Sequence, residues 1–188
     1  ANGDTLPSKR LGINSWEIKE AQDLYRITYK VEDSYDAEDG ADIFAPGGSS
    51  NDSAAFVLNQ FAYIGYLQGY ANLDFDLKVY HPKSFYGSGA WEAERSDSLD
   101  QYRFPDYFTL HDNPMLYCRP DTASLYLGAS KVELSLHSPN GVVSAERSLA
   151  VIEEVLMASA EYLGGELPVD KYSILVYCDP NLSGNYTY

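Results

Sequence analysis

Three histidines, two cysteines and an excess of carboxylates are the side chains of this sequence able to ligate a metal or move a proton. His81 precedes Pro82, His111 precedes Asp112 and His137 precedes Ser138, each isolated at an expected strand end or turn, so their spacing assembles no metal site. Cys118 and Cys178 each follow an apolar stretch. In an oxidising compartment they pair if their strands are neighbours, whereas a buried free thiol is the ordinary state of such residues, and both readings stay open. The run Glu32 to Asp42 gathers six carboxylates, hard oxygen donors of the kind calcium takes. It misses the EF-hand spacing, with glycine and alanine where later ligands should fall, and reads as a solvated loop between strands. No acid and base pair stands out among so many scattered carboxylates. The sequence has no P-loop, dinucleotide-binding or nucleophile-elbow pattern, so nucleotide binding and serine hydrolase chemistry lack support.

Charge narrows the partners. The net charge is -15, with only 13 Lys and Arg in 188 residues, which excludes the clustered cations that nucleic acid and acidic membrane surfaces require. No run approaches the roughly 20 apolar residues of a membrane span, and Ala1 to Arg10 lacks the apolar core of a signal peptide. The chain reads as soluble and already processed, and its acidity fits an extracytoplasmic protein, periplasmic or secreted. Hydrophobic residues make up 45% of it, enough for a packed core.

The elements that must position any site are clearest after residue 130. Lys131 to His137 alternates strictly, as a half-exposed strand does, and Ser138-Pro139-Asn140-Gly141 closes it with a turn. Ser144 is a good N-cap and Glu146 suits the positive end of a helix dipole. Leu149, Ile152, Val155, Leu156, Ser159, Ala160 and Leu163 recur on one helical face, and Gly164, Gly165 and Pro168 stop the helix near Leu163. Tyr172 to Cys178 then reads as a mostly buried strand. The unit is strand, helix, strand.

In the first half, Trp16 to Glu20 and Tyr25 to Glu32 predict a hairpin joined by Ala21-Gln22-Asp23. Asp74 to His81 predicts a strand with Phe75, Leu77, Val79 and His81 on one face. Residues 53–67 fit a helix capped by Asp52 or Ser53, with a strand after Asn59 as the alternative. Seventeen tyrosines and two tryptophans are many for this length. Trp91, Tyr63, Tyr66 and Tyr70 are the rings to examine as a binding surface for sugars or a partner protein, although strand faces absorb most aromatics.

Asp106-Tyr107 with Leu110, Asp112 and Pro114, followed after the helix by Leu163-Gly164-Gly165-Glu166-Leu167-Pro168 and Tyr172, resembles the glycyl aminopeptidase family, zinc enzymes with a thermolysin-like catalytic domain. Asn113 stands where that family usually has serine and Leu163 where it has phenylalanine. Tyr29-Lys30-Val31, Asn59 and Leu77 to Pro82 are similar to the β-rich part preceding the catalytic domain. The resemblance implies an α+β chain, with a β-rich domain over residues 1–103 and the strand-helix-strand opening of a thermolysin-like domain over 104–188. Asp106, Tyr107, Asp112, Pro114, Gly165, Leu167, Pro168 and Tyr172 would then be structural motif residues.

A zinc peptidase of this kind needs H-E-x-x-H on a helix, which sets two imidazoles and a glutamate on one helical face, and this sequence has no such motif. The resemblance therefore implies a noncatalytic N-terminal portion, with no catalytic residue and no metal ligand of its own. Zinc is implied only for a longer parent. Its expected partners are the remainder of the peptidase domain, the parent's peptide substrate and, through an exposed sheet edge at Tyr172 to Cys178, a second copy of the chain. The competing reading is an aromatic-rich carbohydrate- or protein-binding module of a secreted protein.

Overall fold

The computed structural model describes residues 5–35, 48–62 and 64–178. It divides into two compact units, residues 1–32 and 33–188. In the first, β1 (Ser8–Arg10) pairs antiparallel with β2 (Trp16–Ile18), and the Arg10 guanidinium lies over the Trp16 ring at 5.4 Å. The expected hairpin between residues 16–20 and 25–32 is not formed. Ala21–Asp23 closes instead as a 3-10 turn entered from a left-handed Glu20 (φ 57°). Tyr25, Ile27 and Val31 stay exposed. With no burial on its apolar face, the alternation of this segment has nothing to fix a strand register.

The second unit holds three sheets. The first runs β3 (Ser50–Asn51), β4 (Phe56–Leu58), β9 (Met115–Cys118), β6 (Tyr86–Ser88). The next runs β5 (Phe75–Tyr80), β8 (Leu99–Phe104), β7 (Glu94–Arg95). The last runs β10 (Asp121–Leu127), β11 (Ser130–His137), β12 (Lys171–Tyr177). All pairs are antiparallel except β11 with β12, which are parallel and joined by helix α2 (Ala145–Tyr162). A parallel pair requires such a crossover. A short helix, α1 (Tyr107–His111), follows β8.

Residues 53–67 correct the favoured expectation of a helix. Phe56, Val57 and Leu58 form β4, in register with Tyr117, Leu116 and Met115 of the buried strand β9, and Gln60–Ala62 makes a single 3-10 turn. Pairing to β9 gives these apolar residues a partner sheet, and that tertiary contact overrides their local spacing. Strand β5 is as expected, with Phe75, Leu77 and Val79 turned to the core and Asp76, Lys78 and Tyr80 outward.

Helix α2 also matches its expected caps: Ser144 accepts from the Arg147 N–H, and Gly165 (φ 108°) donates its N–H to the Ala160 carbonyl. Leu149, Ile152, Leu156 and Ala160 pack on Val132, Leu134 and Leu136 of β11, whereas Val155, Ser159 and Leu163, expected on the same face, are exposed: Val155 and Ser159 lie to one side of it along the helix and Leu163 is past its last turn. The expected exposures of β11 and β12 are reversed. Alternating β11 is the central strand, with Ser135 as inaccessible as Val132, whereas the apolar run of β12 forms an edge and is half-buried. Leu175 and Tyr177 of that edge pack with Leu116 and Cys118. Cys118 and Cys178 are both free thiols.

Candidate functional site

The motif from Asp106 to Pro114 builds α1 and the turn into β9. Asp106 is extended (φ −161°), and its carboxylate accepts the Thr109 N–H at 2.6 Å. That hydrogen bond, reinforced by the Thr109 hydroxyl, holds the carboxyl below its ordinary range. Tyr107 joins this turn to the preceding loop. Its N–H donates to the Ala71 carbonyl at 2.8 Å and its hydroxyl to the Ile64 carbonyl at 2.7 Å. Leu110 is buried with Phe104 and Met115. Asn113 donates its side-chain amide to the Thr109 carbonyl at 2.6 Å, and Asp112 ends the helix by donating its N–H to the Phe108 carbonyl at 3.1 Å. Asp112 and Pro114 are exposed.

One of the aromatic candidates joins this group. The Tyr66 ring lies 4.5 Å from Tyr107, which also meets Phe75 at 5.9 Å and His111 at 5.3 Å. Tyr66, Tyr70 and Phe108 are exposed, so this end of the unit presents a set of accessible rings. Trp91 does not belong to that set: it is half-buried, its indole N–H donates to the Arg103 carbonyl at 2.8 Å, and its ring packs 5.3 Å from Phe104. Tyr63, like Asp36 to Gly47 of the acidic run and the loop after it, lies outside the described residues.

The second motif group sits elsewhere, at the turn from α2 to β12. Gly165 ends the helix, the Leu167 carbonyl accepts from the Ser130 hydroxyl at 3.0 Å, and the Leu167 side chain packs on the α2 core. Pro168 is exposed, and Tyr172, also exposed, pairs with Val132. Beside them on the other face of the sheet, Glu133 lies between Lys131 at 2.5 Å and Lys171 at 3.2 Å. Burial alone would raise the Glu133 carboxyl, but the two lysines together outweigh it and hold it below its ordinary range.

The most buried charge was not legible in the sequence. Asp100 on β8 is inaccessible and receives the Arg95 guanidinium at 2.6 Å and the Tyr117 hydroxyl at 2.9 Å. Tyr102 and Tyr117 share a hydrogen bond at 2.8 Å, and His81 Nε2 lies 3.5 Å from the other Asp100 oxygen. Burial, then the neighbouring Tyr102 hydroxyl, pushes the Tyr117 phenol far above its ordinary value. Arg95 also covers the Tyr86 ring at 4.5 Å. The register Arg95 opposite Asp100 makes this network, and only strand pairing reveals it. It is a closed structural cluster with no exposed nucleophile. Among the described residues no three His, Cys, Asp or Glu side chains gather as metal ligands, so these residues do not fit a zinc ion.

These sheets and the α1 turn define a β-rich domain of the fold found in an aminopeptidase N family protein from Idiomarina loihiensis. The match has a TM-score of 0.60 at 16% identity, and covers 69% of this chain and 23% of that one. Residues 1–119 match the profile of the peptidase M61 N-terminal domain, and the chain belongs to that family. The expected resemblance to the N-terminal region of an aminopeptidase-like protein is borne out. Two further structures are similar over 68% of this chain. Aminopeptidase A from Legionella pneumophila, in complex with aspartic acid, matches at 10% identity and TM-score 0.45, with 17% of its length covered. An M1 zinc metallopeptidase from Deinococcus radiodurans matches at 14% identity and TM-score 0.40, with 33% covered. The chain thus spans between a sixth and a third of the length of these structures. Among curated proteins no sequence matches it.

Proposed function

We propose that this chain is the noncatalytic N-terminal portion of a zinc-dependent aminopeptidase resembling glycyl aminopeptidases, extracytoplasmic in location. We place the end of its β-rich domain after β9, which pairs with β4 and β6, later than the expected residue 103, so that the residues following β9 open a thermolysin-like domain. The observation that carries the reading is the family match over residues 1–119, which runs through the complete Asp106 to Pro114 motif. In this portion the chemistry is positional. Tyr107 ties the α1 turn to the Ile64–Ala71 loop, and the exposed Tyr66 and Phe108 rings offer an apolar wall on which a peptide side chain can pack. The zinc and its base belong to the remainder of the parent, which is also this portion's partner.

The test is to translate the reading frame beyond Tyr188 in the source DNA, express the longer product beside the 188-residue chain, and assay both on glycyl and alanyl p-nitroanilides. The longer product should hydrolyse the glycyl substrate preferentially and lose activity to a chelator, and the short chain should do neither. Hydrolysis by the short chain, or a stop codon directly after Tyr188, would overturn the reading. A second reading, a carbohydrate- or protein-binding module, is favoured by the exposure of Tyr66, Tyr70 and Phe108 together. Quenching of tyrosine fluorescence by oligosaccharides that is lost in Tyr66→Ala would support it.

A further inference from the structure

The face of α2 turned away from β11 is apolar. Val151, Val155, Ala158 and Tyr162 fall at i, i+4, i+7 and i+11, which sets them on one stripe, and Val151, Val155 and Tyr162 are 80%, 66% and 91% exposed. The opposite stripe already supplies the core contacts, so this one has no packing role within the described chain. Isolated exposed apolar residues need no explanation, but four in register along a well-capped helix form a continuous strip.

The border of that strip is charged. Glu154 and Glu161, two turns apart with Met157 between them, line one side of a groove of about 510 Å³ whose other side is Tyr126, Leu127 and Gly128. A second depression of about 520 Å³ follows the strip itself past Val155, Ala158, Tyr162 and Leu163. Among the described residues neither carboxylate has a cation within salt-bridge distance. Arg147 lies two turns before Glu154, toward the start of the helix, and Lys131, the cross-strand neighbour of Tyr126, is paired with Glu133. An apolar strip edged by two unneutralised carboxylates, on a chain of net charge -15, is complementary to an apolar segment edged by cations. A ligand helix laid along the strip would place its own Lys or Arg in the Glu154–Glu161 groove, where the side-chain stem can cover Met157 and Tyr126.

We propose that this face of α2 is a docking surface for a partner polypeptide presenting an amphipathic helix, apolar along one stripe and carrying Lys or Arg along its border. The mode is helix against helix, with anchors at helical spacing. The probe is a fluorescein-labelled Leu/Lys amphipathic peptide of about 18 residues, five turns long, with a Leu/Glu peptide of the same pattern as its counterpart. Binding is read by fluorescence anisotropy at physiological salt. The wild-type chain should bind the Leu/Lys peptide and not the Leu/Glu peptide. Val155→Asp should weaken binding at least ~10-fold, and the charge-reversed variant Glu154→Lys/Glu161→Lys should switch preference to the Leu/Glu peptide. Because Val155 is on the outer face, its variant should keep the wild-type circular dichroism; Val151→Asp repeats the test if it does not. Equal binding by Val155→Asp would reduce the interaction to general attraction by an acidic chain and overturn the proposal. So would sedimentation showing a wild-type dimer that Val155→Asp converts to monomer, which would make a second copy the occupant.

Discussion

Replacing Asp100 should cost more than any other single charge removal in the described chain. Its carboxylate is 1% exposed and takes a charge-assisted bond from Arg95 at 2.6 Å and another from the Tyr117 hydroxyl at 2.9 Å. Asp100→Ala removes the one oxygen that accepts both bonds, strands a guanidinium that is only 27% exposed, and leaves the buried Tyr117 hydroxyl with Tyr102 alone. Breaking one side of a buried pair costs about 3–5 kcal/mol. With a urea dependence of about 2 kcal/mol per molar, the unfolding midpoint should fall by roughly 1.5–2.5 M. Lys83→Ala is the control, since Lys83 and Asp97 also form an ion pair, at 3.0 Å, but are 76% and 80% exposed. Such a surface pair is worth about 1 kcal/mol at most. Combining Asp100→Ala with Arg95→Met should recover part of the loss, because the stranded charge goes with the arginine. Urea unfolding at pH 7, followed by tyrosine fluorescence and circular dichroism, reads all four proteins. A midpoint shift for Asp100→Ala no larger than that for Lys83→Ala would refute the view that this cluster is a closed, desolvated network.

Three further outcomes follow from the geometry. A Cβ added at Gly87 would stand 2.5 Å from the ring of fully buried Tyr117, which its hydroxyl bonds hold in place, so Gly87→Ala should cost about 1–3 kcal/mol of overpacking; a shift of melting temperature within error would count against it. Burial raises the Cys118 thiol to about 11, and also raises the less buried Cys178, so a thiol reagent at pH 8 should label Cys178 first and reach Cys118 only on unfolding. Equal rates for the two in native protein would contradict the packing of β9. The folded Glu133 carboxyl lies below its ordinary value of 4.5, so its contribution to stability is present above that value and disappears as pH falls through the lower folded one. The gap in urea midpoint between wild type and Glu133→Gln should therefore be full at pH 7 and close in acid, and a gap that widens in acid would reverse the assignment.

Helix α2 was legible because its signals are local. Ser144, Gly164 and Gly165 act on backbone within a few residues, and the inward face repeats at the helical period. Even there, one part of its start came from afar: the Asp121 carboxylate, at the beginning of β10, accepts the Ala145 N–H at 2.8 Å. No spacing rule connects positions 24 residues apart. The same limit hid the Asp100 cluster, whose members come from β5's end, β7, β8 and β9, and it turned residues 56–58 from an expected helix into a strand paired with β9. The α1 motif lay between these cases. Its turn chemistry was readable, but the bonds from Tyr107 to Ala71 and Ile64 depend on a loop more than thirty residues earlier.

The reversed exposures of β11 and β12 carry the sharper lesson, because pattern and position disagree for a physical reason. Polar residues alternate along β11 because its second face meets charge, not water: Lys131 and Glu133 pair with each other and with Lys171, so a central strand can keep them half-buried without leaving a charge unmatched. β12 is apolar on both sides because it is packed from both sides, by α2 through Ile174 and Val176 and by β9 through Leu175 and Tyr177, and only its backbone edge is open among the described residues. Periodicity reports how many faces of a strand are covered and by what chemistry. It does not report how many of its edges are paired, which is set by the order of strands in the sheet. An apolar strand with both faces packed and, among the described residues, one edge unpaired presents backbone N–H and C=O groups on which another strand can add.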